Sequence, residues 1–331
     1  MKKHNNDLSI INWLSKDEIF DEQVVESRNL VAEKNSKESL DYLCNRSLGF
    51  GLDNLSKLVE IIDIINDKNG LRGSGIELGA GAGFLSSEFL LKFDSICDLH
   101  VLEISKEHVL NIIPRVMLGR LDNSKFSKSK LVIGDFDHIK LPDSSLDFAI
   151  EINSLHHSYN LPITLNEISR VLKPGGRLIC CDRSHPNFTT DQDIEDLLNR
   201  EYDPISLEKI GFPKGTIMKR RENGEHEYRD KDWTRMMQDA GFSVLKLEHI
   251  GEKTSFNKIA RALVARLPFS IRKILSYILQ PFISKKIVKL ITNKRYKPRR
   301  GEIFYEFKKF FRPRWKNFSR PITIFICENN K

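Results

Sequence analysis

The chain has 331 residues, 53 Lys and Arg against 45 Asp and Glu, and a formal net charge of +8. With 40% hydrophobic residues and 30% charged residues of both signs, the composition excludes global disorder and a collagen-like chain. A chain this long buries about three quarters of its unfolded surface. Met1-Lys2-Lys3 is followed by polar residues at 4–9 where a signal peptide needs an apolar stretch, and no apolar run reaches spanning length, so a cytosolic protein is expected.

Residues from about 10 to 68 read as helical, with Leu55, Leu58, Val59, Ile62 and Ile65 at the spacing of one buried face. From Gly70 short β-type runs at 75–78, 99–103, 130–134, 146–152 and 177–182 alternate with helical stretches at 84–92, 106–117 and 163–172. Strands alternating with helices imply parallel pairing through right-handed crossovers and hence an open α/β sheet. A polar stretch at 186–229 follows, then a helix at 231–240 closed by Gly241, whose type suits a left-handed C-cap. Two further strands are expected at 243–250 and 321–327, with a basic segment between them. Cys44, Cys97, Cys180, Cys181 and Cys327 are odd in number and contain no Cys-x-x-Cys pair. They read as reduced structural thiols, the vicinal pair as strand packing, and no metal is assigned.

The first strand of the alternating region runs into Glu77-Leu78-Gly79-Ala80-Gly81-Ala82-Gly83-Phe84. Glycines at a strand-to-helix junction allow a tight turn and close approach of a ligand to the backbone. A dinucleotide fingerprint would need its third glycine where Phe84 stands, and a phosphate loop would need a following Lys-Ser/Thr, which is absent. What remains is Glu-x-Gly-x-Gly-x-Gly. The next strand ends on Glu103, the third in Gly134-Asp135-Phe136, and the fourth leads into Asn153-Ser154-Leu155-His156-His157. Glu167 to Leu178 then reads as a helix and a Lys-Pro-Gly-Gly turn before strand five.

In this order the motifs resemble those of the class I S-adenosylmethionine-dependent methyltransferases. The resemblance covers roughly residues 55–250 and the last strand. It implies a Rossmann-like α/β fold: a seven-stranded, mostly parallel sheet with an antiparallel last strand and helices on both faces. It implies S-adenosylmethionine as cofactor, with Glu77, Gly79, Ala80, Gly81, Gly83, Glu103, Asp135, Phe136 and Asn153 as its binding residues. Glu77 would orient the methionine end or brace the loop, Glu103 would accept from the ribose hydroxyls, and Asp135 and Phe136 would meet the adenine. In an open α/β sheet, ligands bind beyond the carboxyl ends of the strands where the strand order reverses. If the strands ending at Leu78 and Ile152 are neighbours, the 79–83 loop faces 153–157.

Methyl transfer from a sulfonium chiefly requires alignment and exclusion of water, with a base only where the nucleophile carries a proton. His157, and less so His156, are the candidate bases; pocket shaping is the competing role. Asp182, Arg183 and His185 follow strand five on the acceptor side, and 186–229 reads as an acceptor lid. The division expected is a helical cap at 1–69, a core at 70–251, a basic insert at 252–320 and the last strand with its tail at 321–331.

That insert holds 11 Lys and 9 Arg against Glu252, Glu302 and Glu306, a net +17, so the remainder carries −9; it also holds 12 of the 30 aromatics. Ile271, Ile274, Leu275, Ile278, Leu279, Phe282 and Ile283 recur at helical spacing among Arg272, Lys273, Lys285, Lys286 and Lys289, with a bend or restart at Pro281. Three readings compete: a lid whose apolar face packs on the enzyme, an element lying on a membrane surface, and a nucleic-acid contact. The function expected is methyl transfer to a small-molecule or lipid-linked acceptor. An RNA or protein methyltransferase, or a S-adenosylmethionine binder without turnover, are the alternatives.

Overall fold

The computed structural model describes residues 10–14, 22–48, 52–68, 70–251, 263, 267–279, 281, 288 and 322–331. Its centre is one sheet of β1 (Ile10–Asn12), β2 (Gly73–Leu78), β3 (Ile96–Glu103), β4 (Ser129–Ile133), β5 (Leu146–Ile152), β6 (Leu172–Asp182), β7 (Phe242–Ile250) and β8 (Ile322–Asn329). The order is β1-β4-β3-β2-β5-β6-β8-β7, and β8 alone runs against the others. The last strand in sequence thus slots between β6 and β7.

The expected seven strands gain an eighth. Residues 10–12, read from sequence as part of a helical region, pair in parallel with β4, Ile10 opposite Leu131. Two adjacent Ile residues suit an edge strand, and Trp13, next in the chain, packs where a Cβ on Gly134 would stand 3.3 Å from its ring. The helices that follow are α1 (Glu22–Asn35), α2 (Leu40–Leu48) and α3 (Leu52–Ile65).

Helices cover both faces because alternate residues of each central strand point to opposite sides. On one face Val101, Ile150 and Ile179 meet Leu55, Leu58 and Ile62 of α3 together with Leu85 and Phe89 of α4 (Phe84–Lys92). On the other, Ile76, Ala149 and Cys180 meet Leu165 and Ile168 of α7 (Leu161–Val171) and Trp233 of α10 (Asp230–Asp239). The predicted helix at 106–117 is interrupted. Pro114 has no N–H to give the ladder, and the chain makes a wide π-turn at His108–Ile112 before α5 (Ile113–Leu118). A short α6 (Asn123–Phe126) precedes β4, and α8 (Asp191–Leu198) and α9 (Pro204–Ile210) lie in the stretch after β6. Gly241 takes φ 97°, the left-handed closure expected for α10. Most of the basic insert, including 295–300 and the aromatic run at 304–318, lies outside the described residues; within it α11 (Phe269–Leu279) is described.

Candidate active site

β2 and β5 are parallel neighbours, Gly75 opposite Phe148 and Leu78 opposite Glu151, and the chain leaves them toward β3 and β6 respectively. Their carboxyl ends therefore form the switch point, and the loops after them face one another across a cavity. Arg28, Glu77, Gly79, Ala80, Gly81, Glu103, Phe136, Asn153, Ser154 and His157 are on its wall. Seven of the nine predicted cofactor residues are thus brought together.

Gly79 has φ +69°, and a Cβ there would stand 2.6 Å from Ser154 Cβ and 3.3 Å from the Phe136 ring. Only glycine gives both that backbone turn and that approach. Ser154 holds the opposite loop in place: its hydroxyl donates to Leu78 O (2.7 Å), and its N–H donates to Glu151 Oε2 (2.9 Å). Asn153 sits between with φ 54°, an uncommon conformation for a residue with a side chain, and its N–H donates to Cys181 O (2.9 Å). Strain of this kind persists where surrounding bonds enforce it and concentrates at functional sites.

The acids divide their work. Each Glu103 oxygen accepts one backbone N–H, from Gly81 (2.8 Å) and Ser105 (3.0 Å), so the carboxylate is locked to the glycine loop and keeps a lone pair on each oxygen. Glu77, in the strand interior, points at α4 and accepts from the Ser86 hydroxyl. Burial pushes its carboxyl up to about 8, against the Ser86 bonds and with help from Glu103 and Glu151. Gly83 and Asp135 are placed off the wall. Gly83 is the left-handed N-cap of α4, where a Cβ would meet Ile113 at 3.0 Å, and Asp135 accepts the Asp137 N–H (3.1 Å).

The histidines also part. His156 is buried, its Nδ1 2.7 Å from Asp182 Oδ1 and its N–H donating to Asp182 Oδ2 (2.9 Å). Burial drives the His156 imidazole well below its ordinary value, with Arg183 adding to the effect, and pushes the Asp182 carboxyl up to about 7. His157 reaches the cavity wall. Its ring lies 4.2 Å from that of His156, and its Nδ1 is 3.3 Å from Gly224 O. A carbonyl can only accept, so Nδ1 carries the proton and Nε2 is a bare lone pair. Burial first, then His156, Arg28 and Arg183, lower the His157 imidazole well below its ordinary value.

The 186–229 stretch folds over this side. His226 N–H donates to His156 O (2.8 Å), and Arg183 and Arg220 both pair with Glu225 (3.1 and 2.6 Å). Glu227 binds His185 Nε2 at 2.5 Å and also pairs with Arg220. Burial raises Glu227, but the His185 bond and the two arginines outweigh it and hold the carboxyl at about 2. The N-terminal helices brace the same stretch: Lys34 Nζ donates to Gly211 O (2.8 Å) and Tyr42 OH to Lys209 O (2.9 Å). Asn29 ties α1 to the loop after β3 by accepting from Ser105 Oγ (2.8 Å), which sets its neighbour Arg28 at the cavity.

A family profile described as methyltransferase domain matches residues 76–180, the segment that carries the glycine loop, Glu103, Asn153 and both histidines. Residues 76–180 thus match a methyltransferase domain. The methyltransferase core is 24% identical over 142 residues to a demethylmenaquinone methyltransferase of Staphylococcus haemolyticus, covering 43% of this chain and 54% of that protein. It is 23% identical over 158 residues to the mitochondrial 2-methoxy-6-polyprenyl-1,4-benzoquinol methylase of Mus musculus, covering 47% and 45%. The chain spans about half the length of the curated relatives it matches. Among solved structures, the cyclase SpnF superposes with a TM-score of 0.51 at 13% identity over 92% of this chain and 96% of that one, a likeness of fold.

The cavity fits S-adenosylmethionine: a cradle at Gly79 that a Cβ would fill, a carboxylate with free lone pairs at Glu103, and Glu77 and the Phe136 ring on the wall. The motif reading did not foresee Arg28, Ser154 or Glu151. Arg28 carries no local signal; Glu151 does, as an acid inside an apolar strand run.

Proposed function

We propose that the protein transfers a methyl group from S-adenosylmethionine to a hydroxyl-bearing small molecule of the prenylated-quinol class, with His157 as the proton acceptor. The observation that carries this reading is the bare Nε2 of His157 on the same wall as Glu103 and the glycine loop. When bound, S-adenosylmethionine supplies an electrophilic methyl group. Glu103 and the glycine loop would hold the donor's place, with Glu77 bracing the start of α4 through Ser86. His157 Nε2 takes the proton of an acceptor hydroxyl as the nucleophile forms, while His156 packs against the ring and the 186–229 stretch excludes water. The names of the quinol and menaquinone relatives support the acceptor class.

The test is transfer of radiolabelled methyl from S-adenosylmethionine into fractionated lipid, small-molecule, RNA and protein pools of a cell extract. Label is expected in the organic-extractable pool, lost with His157→Ala. Label confined to RNA or protein would overturn the acceptor reading.

A further inference from the structure

α11 is folded with its faces reversed. Residues at helical spacing on one side, Phe269, Arg272 and Ser276, turn inward; Arg272 is 6% and Ser276 3% exposed, and the Arg272 guanidinium lies 5.6 Å from the Phe269 ring. The opposite side shows Ile271 at 43%, Ile274 at 61%, Tyr277 at 68% and Ile278 at 61% exposure. A helix that served only as a lid would bury its isoleucines and leave its arginine in water, because apolar area gains from leaving water and a guanidinium loses. The reversal therefore leaves an apolar face with no covering among the described residues. The sequence that contains this helix is strongly basic: the 252–320 segment carries net +17 while the remaining chain carries −9.

We propose that α11 is a membrane-surface element that seats Ile271, Ile274, Tyr277 and Ile278 in the headgroup boundary of an anionic bilayer. Helices with an exposed apolar face partition in this way, the isoleucines and tyrosine entering the interface, while Lys273 and the basic sequence on either side of the helix supply the attraction to anionic lipid. No described helix is long and apolar enough to cross a membrane. The function would be to hold the core beside a lipid-borne acceptor. The contact itself stands independently of the transfer reading, because it needs neither methyl donor nor acceptor.

The experiment is co-sedimentation of the full chain with vesicles of phosphatidylcholine and phosphatidylglycerol, against phosphatidylcholine alone, at 0.1 and 0.5 M salt. Binding should require the anionic lipid and persist in part at high salt, since the apolar contribution is not screened. Ile274→Asp should weaken it by about tenfold or more, with an unchanged melting temperature because the side chain is exposed. Ile205→Asp, at a 62% exposed isoleucine on α9, should leave it unchanged. Absence of vesicle binding, or equal binding by Ile274→Asp, overturns the proposal. So does a concentration-dependent dimer that Ile274→Asp dissolves, or RNA binding that replaces vesicle binding and falls steeply with salt.

Discussion

Replacing Glu103 by Gln preserves the shape of the side chain and removes its charge. In the structure one carboxylate oxygen accepts from Gly81 N–H at 2.8 Å and the other from Ser105 N–H at 3.0 Å. A carboxamide has one oxygen, so its NH2 must face one of the two donors whichever way it turns. One charge-assisted bond is lost, the other becomes neutral, and a bond to a charged group contributes about 1.5–3 kcal/mol. That loss falls on the glycine loop and on the acceptor atoms that Glu103 presents to the cavity. At 1.4 kcal/mol per factor of ten, S-adenosylmethionine should bind roughly 10- to 100-fold more weakly. Isothermal titration calorimetry of both proteins reads this directly, with a melt of the unliganded variant as control for folding. A Kd within about twofold of wild type would refute the argument that Glu103 couples the loop to the donor.

Three further outcomes follow from the same geometry. Glu77 is protonated in the fold until about pH 8 but ionises near 4.5 in the unfolded chain, so its contribution to stability is full below pH 4.5 and declines as pH rises toward 8. Glu77→Gln should therefore gain on wild type in melting temperature between pH 5 and 8, and a difference independent of pH would count against it. His157→Ala should lower turnover at saturating acceptor by roughly 10²- to 10⁴-fold with little change in donor affinity; wild-type turnover would remove it as a base. Glu227, held at about 2 against an ordinary 4.5, contributes about 3 kcal/mol above pH 4.5 that is lost as pH falls toward 2. Glu227→Gln should flatten the acid limb of a urea-midpoint profile, and an unchanged limb would assign acid unfolding to other groups.

Much of the site was legible because its chemistry is local. Gly79 and Gly81 declare themselves by type and spacing at a strand end, and Glu103 by its place at the next strand end. What spacing could not say is which acid does what. Glu77 and Glu103 sit in similar strand contexts, yet one faces α4 and stays protonated while the other is bound by two backbone amides. His156 and His157 are adjacent in sequence and are separated in role by Asp182, 26 residues away, and by Gly224, 67 residues away. Arg28 is carried to the cavity on α1, which Asn29 helps fasten to the loop after β3 by a contact across 76 residues that no motif records.

By itself the sequence determined the α/β alternation and the glycine turn, since these depend on short-range periodicity and on residues whose backbone freedom is their function; the cofactor was implied by the resemblance of the ordered motifs to a known family. The basic segment was also visible as composition. Its orientation was not: Ile271, Ile274 and Ile278 form a helical stripe whichever way the helix is turned. Only the tertiary structure shows that stripe facing outward, because inside or outside is a property of what lies opposite and not of the helix itself. The same holds for β1, where two isoleucines become a strand because the β4 edge offers them backbone partners.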